Sequence, residues 1–169
     1  MRIFFGSERC VLAFPSLGLV LKFPSPHRAS WVWQHKDQSV CWRLRQWFPQ
    51  AKFFIKRAIA QNRRERAVWK ASRDSFFAST PFSFFGLMNV QSYFKASEGN
   101  TLDKQLHEKM YDVLSSSNEV IAIDGHSWFQ IENYSIQSDG SLRKIDYGGE
   151  NDLEVFQHFL FKLKQIRVQ

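Results

Sequence analysis

The sequence predicts an α+β protein, with a small antiparallel-sheet lobe followed by a helical lobe. Three observations carry this. Short apolar runs near the N-terminus alternate with turn residues. A long stretch of helical periodicity follows over residues 52–72. Two short strand-like runs around Ser138, Asp139 and Gly140 then precede a final amphipathic segment.

Residues 1–5 read as the first strand, followed by Gly6. Residues 10–14 read as the second, and Pro15, Ser16, Leu17 and Gly18 supply the turn after it. Residues 19–23 form the third, closed by Pro24, Ser25 and Pro26. This succession is a meander. Residues 28–50 hold Trp31, Trp33, Trp42 and Trp47 among Arg28, Lys36, Arg43 and Arg45, and read as an insertion. Such a mixture suits base stacking, a membrane interface, or a helix packed on the sheet with its basic side in water.

Over residues 52–72, Phe54, Ala58, Val68 and Trp69 recur at helical spacing. Glu65 falls on the same face. An unpaired buried carboxylate is costly, so Glu65 needs a cation. Lys22 in the third strand is one candidate, and a neighbouring arginine is the other. Ser79, Thr80 and Pro81 mark a break. Residues 82–88 and 90–94 read as two strands turning around Asn89, and the polar residues 95–100 as a hinge. Residues 101–116 form a helix with Leu102, Leu106, Met110, Val113 and Leu114 as its apolar stripe, capped by Asn100 or Thr101. Residues 120–123 read as a short buried strand. The last helix covers residues 152–165, with Leu153, Phe156, Phe159, Leu160 and Leu163 inward. The expected domains are 1–96 and 97–169.

The net charge is +7. That charge suits an acidic partner: nucleotide phosphates, an acidic protein or an anionic surface, with nucleic acid ranked behind these. Plain solubility accounts for it equally. The 17 phenylalanines fill a core and leave some for an interaction surface. Cys10 and Cys41 make neither a disulfide framework nor a zinc motif. No apolar run reaches the roughly 18 residues of a transmembrane helix. Residues 11–23, broken by Pro15 and Lys22, do not read as a signal peptide. The expected location is the cytoplasm, with peripheral membrane association as a variant.

The most specific pattern lies near the C-terminus. The alternation through Tyr134 and Ile136, the turn at Ser138, Asp139 and Gly140, and the run 142–145 make a hairpin. Asn133 and Asp146 fall at its open end. An amide oxygen and a carboxylate placed there suit a hard cation such as Mg²⁺. His126, Asn133 and the triplet Asp146, Tyr147, Gly148 resemble, in order and spacing, the protein kinase-like superfamily. That family carries H-x-D-x-x-x-x-N, a short hairpin and then D-F-G. The resemblance covers most of the chain in outline and is specific from His126 to Gly148.

The resemblance implies a minimal two-lobed protein kinase-like fold with a trimmed C-terminal lobe, similar in size and basic character to small bacterial kinase-like proteins, among them lipopolysaccharide-core sugar kinases. It implies ATP and Mg²⁺ as cofactors. Asp146 would hold the metal against the phosphates and Asn133 a second metal position. Lys22 would orient phosphates, Glu65 would hold Lys22, and His126 would be structural. Gly6 stands alone where the family has several glycines, so the phosphates would be cradled less. Trp128 stands where the family has its catalytic Asp, and an indole only donates. Asp124 and Glu132 are the nearby substitutes, although Asp124 suits turn capping and Glu132 would point away. Loss of a general base costs on the order of 10²- to 10⁴-fold in rate. The expected function is a pseudokinase that binds ATP and magnesium weakly and acts through its basic, aromatic surface. The alternatives are an active small-molecule or lipopolysaccharide-sugar kinase with a relocated base, and a nucleic-acid-binding protein.

Overall fold

The computed structural model describes residues 1–6, 8–97, 99–115 and 128–168. The strand expected at 120–123, Asp124 and His126 lie outside the described residues. The fold is mixed α and β. In chain order it comprises β1 (Arg2–Phe5), β2 (Arg9–Phe14), β3 (Leu19–Pro24), α1 (Val40–Ser72), β4 (Phe82–Phe84), β5 (Met88–Ser92), α2 (Asn100–Ser115), β6 (Tyr134–Ile136), β7 (Leu142–Lys144) and α3 (Asp152–Gln165). A 3-10 segment, His27–Gln34, lies between β3 and α1.

Two compact units divide the chain: Met1–Arg66 with Thr80–Tyr93, and Ala67–Ser79 with Phe94–Gln169. This corrects the expected boundary between residues 96 and 97, because residues 67–79 belong with the second unit. The reason is burial: Val68, Phe76, Phe77 and Ala78 all lie in that unit's core. Their backbone is tied there too. Lys144 N donates to Phe76 O at 2.7 Å, and Ala78 N donates to Lys144 O at 2.9 Å.

In the first unit the antiparallel sheet has the order β1-β2-β3-β5-β4. The first two hairpins follow the turn chemistry. Gly6 N donates to Arg9 O at 2.8 Å, and Gly18 takes φ +63° after the short 3-10 turn Pro15–Leu17. The last hairpin differs from expectation. Its turn lies at residues 85–87, and Asn89 sits inside β5, opposite Lys22 of β3. The apolar run 82–88 masked this turn, which depends on Gly86. That residue takes φ +83°, and a Cβ there would meet Ile59 O at 2.7 Å. All four residues of β1 are exposed at one edge of the sheet, and Phe82 and Phe84 of β4 are exposed at the other.

The helix expected over 52–72 begins at Val40. Residues 40–50 are therefore its first turns rather than part of an insertion ahead of it, which corrects the reading of 28–50. Ser39 starts the helix: its Oγ accepts from Trp42 N at 3.2 Å, an N-cap contact that satisfies one orphan donor. Pro49 falls inside the helix. It removes the bond to Arg45 O, but Pro49 is on the exposed side, where water can take that carbonyl.

The second unit is built on aromatic packing. Leu106, Met110 and Leu114 of α2 are buried, as are Val155, Phe156, Phe159 and Leu163 of α3. The Phe77 ring lies 4.6 Å from Phe156 and 4.8 Å from Tyr147. Such rings dominate core energetics because each buries a large apolar area. β6 and β7 pair as a hairpin with Tyr134 opposite Lys144. The segment expected as a hinge lies beside β6: Ser97 N donates to Tyr134 O at 2.8 Å, and Ile136 N donates to Ser97 Oγ at 2.9 Å. Among the described residues, no helix is long and apolar enough to cross a membrane.

Candidate functional site

The first unit holds a buried polar cluster. Lys22 on β3 and Asn89 on β5 are cross-strand partners and so share a face of the sheet. Asn62 and Glu65 stand one turn apart on α1, on one helix face. Lys22 Nζ lies 2.6 Å from Glu65 Oε1. Asn89 Nδ2 donates to Glu65 Oε2 at 2.9 Å and to Asn62 O at 2.8 Å. Arg9 of β2 adds a second cation, with Nη1 at 3.4 Å from Glu65 Oε1 and 3.3 Å from Asn62 Oδ1. Asn62 Nδ2 donates to Gly86 O at 2.8 Å, so the same cluster fixes the β4–β5 turn.

Glu65 is fully buried and Lys22 is 4 % exposed. Burying such charges is tolerable only when each is paired and hydrogen-bonded, and both oxygens of Glu65 are satisfied. The arrangement resolves the choice between Lys22 and a neighbouring arginine on α1: the carboxylate is held by Lys22 and by Arg9, which comes from the sheet. Among the described residues, two buried amide atoms on this face have no hydrogen-bond partner, Asn89 Oδ1 and Gln91 Nε2. They lie two residues apart on β5 and therefore point the same way. An acceptor and a donor thus stand beside the lysine for a polar ligand or water to satisfy.

Gly6 does not offer its N–H to an anion, because Arg9 O already takes it. Glu8 follows in the same turn, largely buried, and pairs with Arg57 at 3.1 Å. An acidic side chain at the β1–β2 turn works against phosphate at that point.

In the second unit, Asn133 and Asp146 are brought together. Asn133 O accepts from Ile145 N at 2.7 Å and from Asp146 N at 3.3 Å, so the two residues face each other across the open end of the hairpin. Hydrogen bonds anchor the chain beyond Asp146. The Tyr147 hydroxyl donates to Ala78 O. Gly148 N and Gly149 N both donate to Asp152 Oδ2, at 2.6 and 2.7 Å. Asp152 is buried at the first position of α3, where a carboxylate also suits the helix dipole.

Trp128 does not stand open at this hairpin. It is 1 % exposed, within the second unit's core, stacked on Phe76 at 6.4 Å. Its ring lies 4.3 Å from Lys144 Nζ, and Tyr134 contributes a second face at 4.9 Å. Lys144 is fully buried between these rings. Tyr134 donates its hydroxyl to Trp128 O at 2.8 Å. Burial pushes the Tyr134 phenol well above its ordinary range, and the Asp152 carboxylate adds to the effect. Glu132 is exposed in the short 3-10 turn Ile131–Asn133.

Sequence reasoning missed Arg9, Asn62 and Asn89. Asn62 had a usable signal, since it lies one turn before Glu65 on the same face. Asn89 was taken for a turn residue on its type alone. Among the described residues, no group of three or more His, Cys, Asp or Glu is gathered to hold a metal. No protein-family profile, no curated protein and no solved structure matches the chain.

Proposed function

We propose that the chain is a kinase-like pseudoenzyme that binds a nucleotide with Mg²⁺ weakly and acts through its basic, aromatic surface. The observation that carries this reading is the buried Lys22–Glu65 pair, set on the third strand of a meander and a long helix. A lysine so held is oriented to meet phosphate, and its charge is neutralised by Glu65 until phosphate arrives. The unpartnered Asn89 Oδ1 and Gln91 Nε2 on the same sheet face support a polar ligand there. In the second unit, Asn133 and Asp146 supply an amide and a carboxylate at adjacent backbone positions. That donor set fits one hard cation whose other ligands are water and phosphate oxygens. Magnesium would neutralise charge on the phosphates.

Efficient transfer is not part of the proposal. In the kinase-like motif the position of Trp128 belongs to the acceptor of the substrate proton; here it is a core residue, and an indole cannot accept a proton. An active small-molecule kinase would need a base from elsewhere, and the exposed Glu132 has no support as one.

The test is a thermal shift of the purified protein with ATP and Mg²⁺. The expected result is stabilisation at millimolar nucleotide that disappears in Asp146→Ala. No shift at that concentration would end the nucleotide reading.

A further inference from the structure

The first half of α1 presents two adjoining rows to solvent. Val40, Leu44 and Phe48 follow each other at intervals of four and line up along the helix. They are 56 %, 37 % and 62 % exposed. Beside them run Arg45, Lys52 and Lys56, all exposed. Phe53, 53 % exposed, lies beyond the basic row with Arg57 over its ring. From the 3-10 segment His27–Gln34, Trp31 and Trp33 are about two-fifths exposed. Their rings are held: Trp31 Nε1 donates to Gln50 Oε1 at 2.7 Å, and Arg43 lies over Trp33. The one acid in all of α1 is Glu65, which is buried and paired.

An exposed apolar row costs free energy unless something covers it. Its cover must also be anionic, because the neighbouring row is wholly cationic. A nucleic acid supplies phosphates and flat π faces but no apolar phase for Val40 and Leu44. An acidic protein would need a groove shaped to both rows. The boundary of an anionic bilayer supplies hydrocarbon and phosphate side by side along a line, which is the pattern of an interfacial amphipathic helix. Indoles such as Trp31 and Trp33 also favour that depth.

We propose that residues 40–57, with Trp31 and Trp33, form an in-plane docking face for an anionic lipid bilayer. This rests on the basic, aromatic surface of the proposed function and not on its nucleotide site.

Co-sedimentation tests it, using vesicles of phosphatidylcholine with about one-third phosphatidylglycerol beside neutral phosphatidylcholine vesicles. The expected result is binding to the anionic vesicles that falls steeply with salt, with a blue shift of tryptophan emission. Lys52→Glu with Lys56→Glu should weaken partitioning at least about ten-fold. Leu44→Ser with Phe48→Ser should weaken it by a similar factor and abolish the blue shift. Both pairs are exposed, so circular dichroism and the melting midpoint should stay as in the parent protein. Equal binding to neutral vesicles overturns the proposal, as does indifference to either pair. Retention on single-stranded DNA or polyglutamate without vesicle binding overturns it too. The ATP–Mg²⁺ thermal shift, measured on the same variants, separates the two readings: vesicle binding without a nucleotide shift would remove only the nucleotide half.

Discussion

Lys22 and Glu65 meet through Nζ and Oε1 at 2.6 Å, inside a cluster that joins β2, β3, β5 and α1. The carboxylate is the hub, since Lys22, Arg9 and Asn89 all bond to it and only Lys22 and Arg9 bring compensating charge. The three partners are unequal in what their loss exposes.

Glu65→Ala should therefore destabilise more than Lys22→Met. Removing the hub takes a shared, hydrogen-bonded carboxylate from two buried cations at once, a loss of about 3–5 kcal/mol. Removing Lys22 leaves Glu65 with Arg9 and Asn89 and should cost less. Urea unfolding of the two variants decides it, and a larger loss for Lys22→Met would show that the lysine is the hub instead.

Gly86→Ala and Gly18→Ala should separate strain from collision. Both glycines have positive φ, but a Cβ at Gly18 meets nothing within 4 Å, whereas one at Gly86 meets Ile59 O at 2.7 Å. Gly18→Ala should cost about 1 kcal/mol of backbone strain. Gly86→Ala should cost more, about 2–3 kcal/mol, because the neighbour is backbone and cannot turn aside. Matched thermal melts give the difference.

Trp128→Asp should fail to create a phosphotransferase and should unfold the second unit. The position is core, so the substitution loses aromatic packing and buries a carboxylate, a cost of at least about 3–5 kcal/mol. Trp128→Phe keeps a ring over Lys144 and should stay folded. Near-ultraviolet circular dichroism distinguishes the two outcomes. A well-folded, active Trp128→Asp protein would contradict the core placement.

Tyr134 sets an alkaline limit. Its folded pKa is raised, chiefly by burial, so below the unfolded value near 10 both states keep the proton and the contribution is fully present. Above that pH the unfolded chain releases the proton while the folded one retains it, so stability falls until the folded pKa is reached. The second unit should lose stability as pH climbs past about 10. Tyr134→Phe should flatten that decline while costing about 1 kcal/mol at neutral pH for the lost bond to Trp128 O. Phenolate absorbance against pH, read beside circular dichroism, checks both parts.

Local elements were legible and distant partnerships were not. The β1–β3 meander, α2 and α3 were readable because turn residues and periodicity are short-range signals. The start of α1 was hidden because the Trp-rich, basic stretch 28–50 reads as an insertion, while the Ser39 cap carries the signal for a helix beginning at Val40. Within the candidate site, Glu65 could be flagged from one helix face and Lys22 from its strand. Arg9 could not, because nothing in β2 itself indicates that its side chain reaches α1. Residues 76–78 were equally silent: their attachment to Lys144 is a long-range backbone pairing without a local signature. Trp128 illustrates a limit of motif alignment. Its place in the pattern was readable, but its burial among Phe76, Lys144 and Tyr134 was not.

Each compact unit conceals one primary amine, Lys22 in the first and Lys144 in the second. Reagents that acylate amines should modify the exposed lysines Lys52 and Lys56 rapidly and leave these two for last. Under rising denaturant, mass spectrometry of the two slow sites would then time the opening of each half of the molecule separately, without engineered dyes or any assumption about ligands.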